Sequence, residues 1–216
     1  GRMGLTHYTI LNYLLPDSFF FIVEPNTIVR NLSNKNIKAE FYKNDKKFIK
    51  PFDIVLITTP PFLHSNLLKS CKLRGDKRIF IEKPFGGSSN INLKISSNKN
   101  IFVGYVLRFN PCIQWIKKNI DLNSVEKIYA SYLSNTIHKK PTGWRNGKFS
   151  GVLNEMGSHI VDLISYITNE SNFDILKSNI TSIVSDVDDI VEADIKSKLG
   201  IPVSIYLNWV NKNIRK

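Results

Sequence analysis

Cysteine is nearly absent: Cys71 and Cys112 are the only two among 216 residues. A disulfide-stapled scaffold is thereby excluded, and a reducing cytoplasm is the expected setting. Long apolar runs are missing too. The richest, Phe19–Val23, stops at Glu24 and is far too short to cross a bilayer, so no membrane partner is expected. No signal-peptide pattern opens the chain. Acidic residues are few, 18 against 30 Lys and Arg, which leaves a net charge of +12. A basic chain raises the question of nucleic acid. Its lysines, however, are scattered among asparagines, as in Ser33–Lys38, Asn44–Lys47 and Ser97–Asn100, with no continuous stripe. Solvated loops of a Lys/Asn/Ile-rich chain are the favoured reading over a nucleic-acid face.

A globular chain is what remains. At 42% hydrophobic and 22% charged, the composition excludes disorder, collagen and coiled coil, and the length allows one large or two small cores. In the first hundred residues short Val/Ile/Phe runs alternate with helical stretches. Phe19–Glu24, Asp53–Thr58, Arg78–Ile81 and Ile101–Val106 read as strands of a covered parallel sheet. Thr6–Leu15 and His64–Leu73 read as helices between them. This is the pattern of an α/β domain with a doubly wound sheet. The second half differs. Ser124–Leu133 alternates, one long helix lies within Gly151–Thr168, and strands follow one another over Asp174–Ser185, Asp189–Leu199 and Pro202–Val210. Strands in succession predict an antiparallel sheet. A boundary near Tyr105–Asn110 divides residues 1–105, a Rossmann-like dinucleotide domain, from 106–216, an α+β domain with an open, mostly antiparallel sheet.

Gly1-Arg2-Met3-Gly4 runs directly into a helix. In a dinucleotide loop one such glycine lets backbone approach a pyrophosphate and the next lets helix pack on strand, while free N–H groups face the phosphates. Glu24 closes the next strand, where a carboxylate would accept from an adenosine ribose and repel a 2′-phosphate, favouring NAD(H) over NADP(H). A solvated strand-end charge is the other reading of Glu24. The strand and first glycine that should precede Gly1 are missing, so the natural chain is expected to start upstream. Thr58, Thr59 and Pro60 lead from a strand end to His64, where open α/β sheets bind ligands; a merely rigid connection reads equally well. Glu82-Lys83-Pro84 follows the strand RIFI. A lysine there can orient a hydroxyl or carbonyl, with Glu82 holding it; a surface ion pair is the alternative. Glu155 and His159 are four apart on a helix whose apolar stripe is Met156, Ile160, Leu163, Ile164 and Ile167. Asp162, one turn on, is a candidate for orienting the imidazole. A structural histidine and a metal site with Glu155 and Asp162 are the competing readings; without HExxH or clustered cysteines, metal is not expected.

GRMG with His7, TTPPFLH, EKP, VGYVLRFNP (Val103–Pro111) and GVLNEMGSHIVDL (Gly151–Leu163) occur in this order. Together they resemble the glucose–fructose oxidoreductase/inositol dehydrogenase family, Gfo/Idh/MocA, over nearly the whole chain. The resemblance implies a Rossmann domain followed by an α/β domain with an open sheet. It implies an NAD-dependent oxidoreductase moving hydride between nicotinamide and a sugar, cyclitol or sugar-nucleotide carbon. On it, Lys83 is the EKP lysine, and Glu155 and His159 are the paired acid and histidine, with glutamate where the family has aspartate. Gly1, Arg2, Met3, Gly4, Glu24, Thr58, Thr59, Pro60, His64, Glu82 and Lys83 would contact the cofactor, and Arg145, beside Trp144, would reach its nicotinamide end. The stretch after EKP, Phe85–Asn100, is shorter than usual, and the chain stops before the family's last strands. A homo-oligomer through the second sheet is expected. The alternative is a non-catalytic dinucleotide-binding homologue with a regulatory or interaction role, against which the Lys83/His159 pair argues. Loop residues 134–149, with Lys139, Lys140 and Arg145, would suit an anionic sugar or form a solvated loop.

Overall fold

The computed structural model describes residues 1–35, 37–85, 99–147 and 150–213. They form two compact units, Gly1–Phe102 and Val103–Lys216. The first runs α1 (Arg2–Leu14), β1 (Phe21–Val23), α2 (Thr27–Asn34), β2 (Glu40–Tyr42), β3 (Ile54–Ile57), α3 (His64–Arg74), β4 (Arg78–Ile81) and β5 (Ile101–Val103). β1 and β2 are parallel, with Ile22 opposite Phe41, and so are β3 and β4, with Ile57 opposite Ile81. The strands form two sheets, β1-β2 and β3-β4-β5, with no strand joining them among the described residues, as expected of a doubly wound sheet without its central strand. Helix α1 reaches both. Tyr8 packs edge-on against Phe20, and His7 against Phe80.

Three elements of this unit and the next escape the sequence pattern. Helix α2 has a cap, Asn26 accepting from the Val29 N–H, but only eight residues and a polar sequence. Strand β2 has three residues. Helix α4 (Pro111–Asn119), in the second unit, starts at a proline with Asn110 capping the Cys112 N–H. All are too short to show a period. The core of the first unit is Ile57, Leu68, Cys71, Ile79 and Ile81, where α3 covers β3 and β4. Burial and Asp76 push the Cys71 thiol up to about 12.

The second unit carries β6 (Ile128–Leu133), a widened turn over Leu153–Gly157, α5 (Ser158–Thr168), β7 (Phe173–Thr181), β8 (Ile190–Ser197) and β9 (Pro202–Asn208). The sheet order is β6-β9-β8-β7. β7, β8 and β9 are antiparallel as the succession of strands predicts. β6 is parallel to β9, with Ala130 opposite Ile205, so the sheet is mixed. Its strand enters from a distant part of the chain, and a local pattern carries no information on that pairing. One face packs Val191, Ile195, Val203, Ile205 and Leu207 against Ile160 and Ile164 of α5. Fully enclosed Trp209 completes this core. Its indole N–H donates to Asp189 Oδ1 at 2.7 Å.

Candidate functional site

Each unit brings together part of the expected site. In the first, Gly1 caps α1 and has open space around its Cα. Gly4 does not. A Cβ added there would lie 2.9 Å from Thr58 Oγ1, at the end of β3. The two glycines therefore divide the work: one leaves backbone approachable, the other lets the helix sit on the strand end. No acidic residue stands in the first turn of α1, whose N–H groups and positive end remain suited to an anion. Arg2 and Met3 are exposed on that turn. Glu24, just past β1, has Oε2 3.3 Å from the Gly1 nitrogen and takes the Asn26 N–H on Oε1 at 2.9 Å. Its side chain is 16% exposed, not freely solvated.

The Thr58–His64 loop turns through Pro60 into α3. The Thr59 hydroxyl oxygen is buried and has no hydrogen-bond partner among the described residues. A buried hydroxyl of this kind is expected to meet a ligand or water. His64 is wholly enclosed, with Nε2 2.8 Å from the Thr59 carbonyl and Nδ1 3.1 Å from the Pro84 carbonyl. It ties two loops together. The Glu82 carboxylate takes a 2.7 Å hydrogen bond from His7 Nε2 on α1. Lys83 follows directly, half-buried at the end of β4. His7 stands inside the sequence motif, yet its partner is 75 residues away, a separation no local spacing reveals.

In the second unit Glu155 lies in the widened turn Leu153–Gly157 and His159 in the first turn of α5, both half-buried. Such single π turns recur at functional sites. Asp188, the first of two neighbouring aspartates, holds this entry in place. Asp188 accepts the Leu153 N–H on Oδ2 at 2.6 Å, and its carbonyl accepts the Val152 N–H. Gly151, at φ +107°, faces that carboxylate so closely that a Cβ would stand 2.0 Å from it. Burial raises Asp188 above the usual carboxylate range, against the lowering by Leu153. Asp189 is fully buried and accepts from the Ile183, Val184 and Ser185 N–H groups, the Ser185 hydroxyl and Trp209. Burial raises it, but these donors outweigh burial and hold it at about 2. The only hint of this pair in the sequence is Asp-Asp ahead of a strand.

Arg145 sits on the short turn Gly143–Asn146, with Nε 3.5 Å from Glu155 Oε1 and its guanidinium 5.3 Å from the Trp144 ring centre. Ser150 donates to the Arg145 carbonyl at 2.6 Å and reaches Glu155 Oε1 at 3.5 Å. Arg145, Ser150 and Glu155 are thus one cluster. Lys140 pairs with Asp186 at 2.5 Å. Both oxygens of Asp162 accept from Arg108. Among the described residues no group of three or more His, Cys, Asp and Glu could hold a metal. Residues 148–149 of the 134–149 loop and 86–98 after EKP lie outside the described residues.

No protein-family model and no curated protein matches the chain. Solved structures do. The WlbA dehydrogenase from Chromobacterium violaceum, in complex with NADH and UDP-GlcNAcA, superimposes with a TM-score of 0.83 at 17% identity, covering 98% of this chain and 66% of that one. Levoglucosan dehydrogenase with NADH and levoglucosan gives 0.76 at 22% identity, over 91% of this chain and 59% of that one. A myo-inositol dehydrogenase from Corynebacterium glutamicum gives 0.73 at 18% identity, over 96% and 66%. The fold is the one these dehydrogenase structures share. The chain spans 59–66% of the length of these proteins. No helix among the described residues is long and apolar enough to cross a membrane.

Proposed function

We propose that the chain is an NAD-dependent oxidoreductase, transferring hydride between a nicotinamide cofactor and an alcohol or ketone carbon of a sugar, cyclitol or sugar nucleotide. The observation that carries this reading is the pairing of Gly4 against Thr58 with Glu24 beside Gly1. It supplies helix N–H groups for a pyrophosphate and a carboxylate for a ribose at one end of α1. The buried Thr59 hydroxyl adds a polar atom in want of a partner. Gly1, Arg2, Met3, Gly4, Glu24, Thr58, Thr59 and Pro60 would hold the cofactor, and Glu24 would favour NAD(H) over NADP(H). When bound, the nicotinamide supplies the acceptor or donor of hydride.

The chain's own groups then have distinct tasks. Lys83 hydrogen-bonds the reacting oxygen and stabilises negative charge there. His159 accepts the hydroxyl proton on oxidation and returns it on reduction. Glu155, held near Arg145 and Ser150, fixes sugar hydroxyls or the imidazole. Arg145, adjacent to Trp144, would reach the nicotinamide end. The dehydrogenases sharing the fold include one in complex with UDP-GlcNAcA and one with levoglucosan, so both charged and neutral sugars belong in the screen. The polar open face of the second sheet, with Tyr129, Glu192, Asp194 and Tyr206, is the proposed homo-oligomer surface, and the cytoplasm is the proposed location.

The test is a titration with NADH and NADPH, read as energy transfer from Trp115, Trp144 or Trp209. Saturable NADH binding, tighter than NADPH and weakened by Glu24→Ala, is expected. Equal affinity for both cofactors in the wild type would overturn the assignment of Glu24, and binding of neither would overturn the cofactor reading.

A further inference from the structure

Residues 105–108 and 159–162 share a spacing. Tyr105 and Arg108 are three apart, on the short turn Val106–Phe109 and the residue before it. His159 and Asp162 are three apart on α5. Residues i and i+3 eclipse on a turn of this kind and share a face on an α-helix. The two segments meet rung to rung. Arg108 donates from Nε to Asp162 Oδ2 at 2.8 Å and from a terminal nitrogen to Oδ1 at 2.5 Å. Tyr105 packs edge-on against His159, with ring centres 6.2 Å apart and planes at 79°. The Arg108 guanidinium lies 5.8 Å from the Tyr105 ring centre and 5.2 Å from that of Tyr166, so it bridges the rungs and a second tyrosine. Gln114 of α4 braces the same corner, donating to the Arg108 carbonyl and to the Tyr166 hydroxyl.

We infer that Tyr105 is a positioning residue for His159, held in place by the Arg108–Asp162 pair. An imidazole is loosely restrained about its outer torsion, which is broad and two-fold. Proton exchange with a hydroxyl needs one nitrogen aimed steadily. An edge-to-face neighbour sets the ring plane, and the neighbour is useful only if its own position is fixed. A bidentate arginine–carboxylate pair provides that, since two parallel hydrogen bonds define orientation as well as distance. The Asp162 side chain is only 7% exposed, so the clamp sits at the buried end of the arrangement. The role explains why Tyr105 and Arg108 stand together in the VGYVLRFNP segment, which the proposed chemistry itself does not use.

The inference rests on His159 being the proton-exchanging group, and the test separates the two. The full chain, labelled at histidine with 15N and 13C, contains only His7, His64, His138 and His159. Loss of one signal set in His159→Gln assigns His159. In Tyr105→Phe its ring nitrogen shifts and linewidth should stay as in the wild type, because the edge contact needs no hydroxyl. In Tyr105→Leu, and in Arg108→Lys, which keeps charge but loses the fork, the His159 signals should shift and broaden while His7 and His64 keep theirs. Unchanged His159 signals in Tyr105→Leu and Arg108→Lys would overturn the positioning role. A Tyr105→Phe spectrum as altered as that of Tyr105→Leu would also overturn it, by moving the effect to the hydroxyl. Wild-type turnover of an NAD-dependent sugar substrate by His159→Gln would instead remove the proton-exchange reading and leave the ring contact standing.

Discussion

His7 of α1 donates from Nε2 to Glu82 Oε1 at 2.7 Å, joining the helix behind the glycine turn to the residue before Lys83. The side chains are 24% and 15% exposed, so the bond is shielded but not sealed. It connects the proposed cofactor turn to the proposed catalytic lysine within one unit. His7→Ala and Glu82→Gln should each lower stability by roughly 1–2 kcal/mol, since a half-buried partner loses its hydrogen bond. The double variant should fall short of the sum by about 0.5 kcal/mol or more, the signature of residues in contact. Chemical denaturation of the four proteins measures this. Strict additivity would show that the two groups do not depend on one another.

Gly4→Ala should weaken NADH binding at least tenfold. The new methyl meets Thr58 Oγ1 at 2.9 Å, and overpacking of this kind costs about 1–3 kcal/mol. Thr58→Ala added to Gly4→Ala removes the obstructing oxygen and should recover part of the affinity. The NADH titration of both variants decides it. Gly1→Ala, where a Cβ meets nothing within 4 Å, serves as the comparison for direct approach of a ligand.

Lys83→Ala should retain NADH binding and lose turnover on any sugar the wild type accepts. Removing one electrostatic donor of this kind typically costs 10²–10³-fold in kcat. A variant with wild-type turnover would sink the role given to Lys83.

Asp189 predicts an acid-labile second unit. Its folded value of about 2 lies below the ordinary 3.8, so its ionised form stabilises the fold. That contribution, about 2 kcal/mol, is complete above roughly pH 4 and is lost as pH falls through 2. Asp188, raised by burial, works in the opposite sense. The Asp189 share is therefore read from the difference between wild type and Asp189→Asn. Denaturation at pH 7 should find the variant less stable, and the gap should narrow toward pH 2. A gap independent of pH would refute the assignment.

The two thiols should differ in reactivity. Cys71 is buried, with its thiol pushed up to about 12, whereas Cys112 is exposed. Reaction follows thiolate and access. One thiol should react with a disulfide reagent at pH 8 in the native protein, and two in denaturant. Blocking Cys112 should leave NADH binding unchanged, as it lies on the first turn of α4.

Apolar runs and their punctuation were enough to locate the long elements. β4 occupies Arg78–Ile81 as read, and α3 runs from His64 to Arg74, because a period repeated over several turns leaves little choice of buried face. The sequence likewise singled out the glycine turn, the lysine after β4 and the acid–histidine spacing, since each is a short-range pattern. What local pattern could not carry was partnership across the chain. Glu82 meets His7, 75 residues away; Asp162 meets Arg108, 54 residues away; His64 closes on two carbonyls. β6 chose a parallel neighbour, and the helix entry widened into a π turn over Glu155. Each of these outcomes is decided by burial. Once the tertiary structure encloses a carboxylate or an imidazole, the nearest donor or acceptor in space must satisfy it, whatever its distance in sequence.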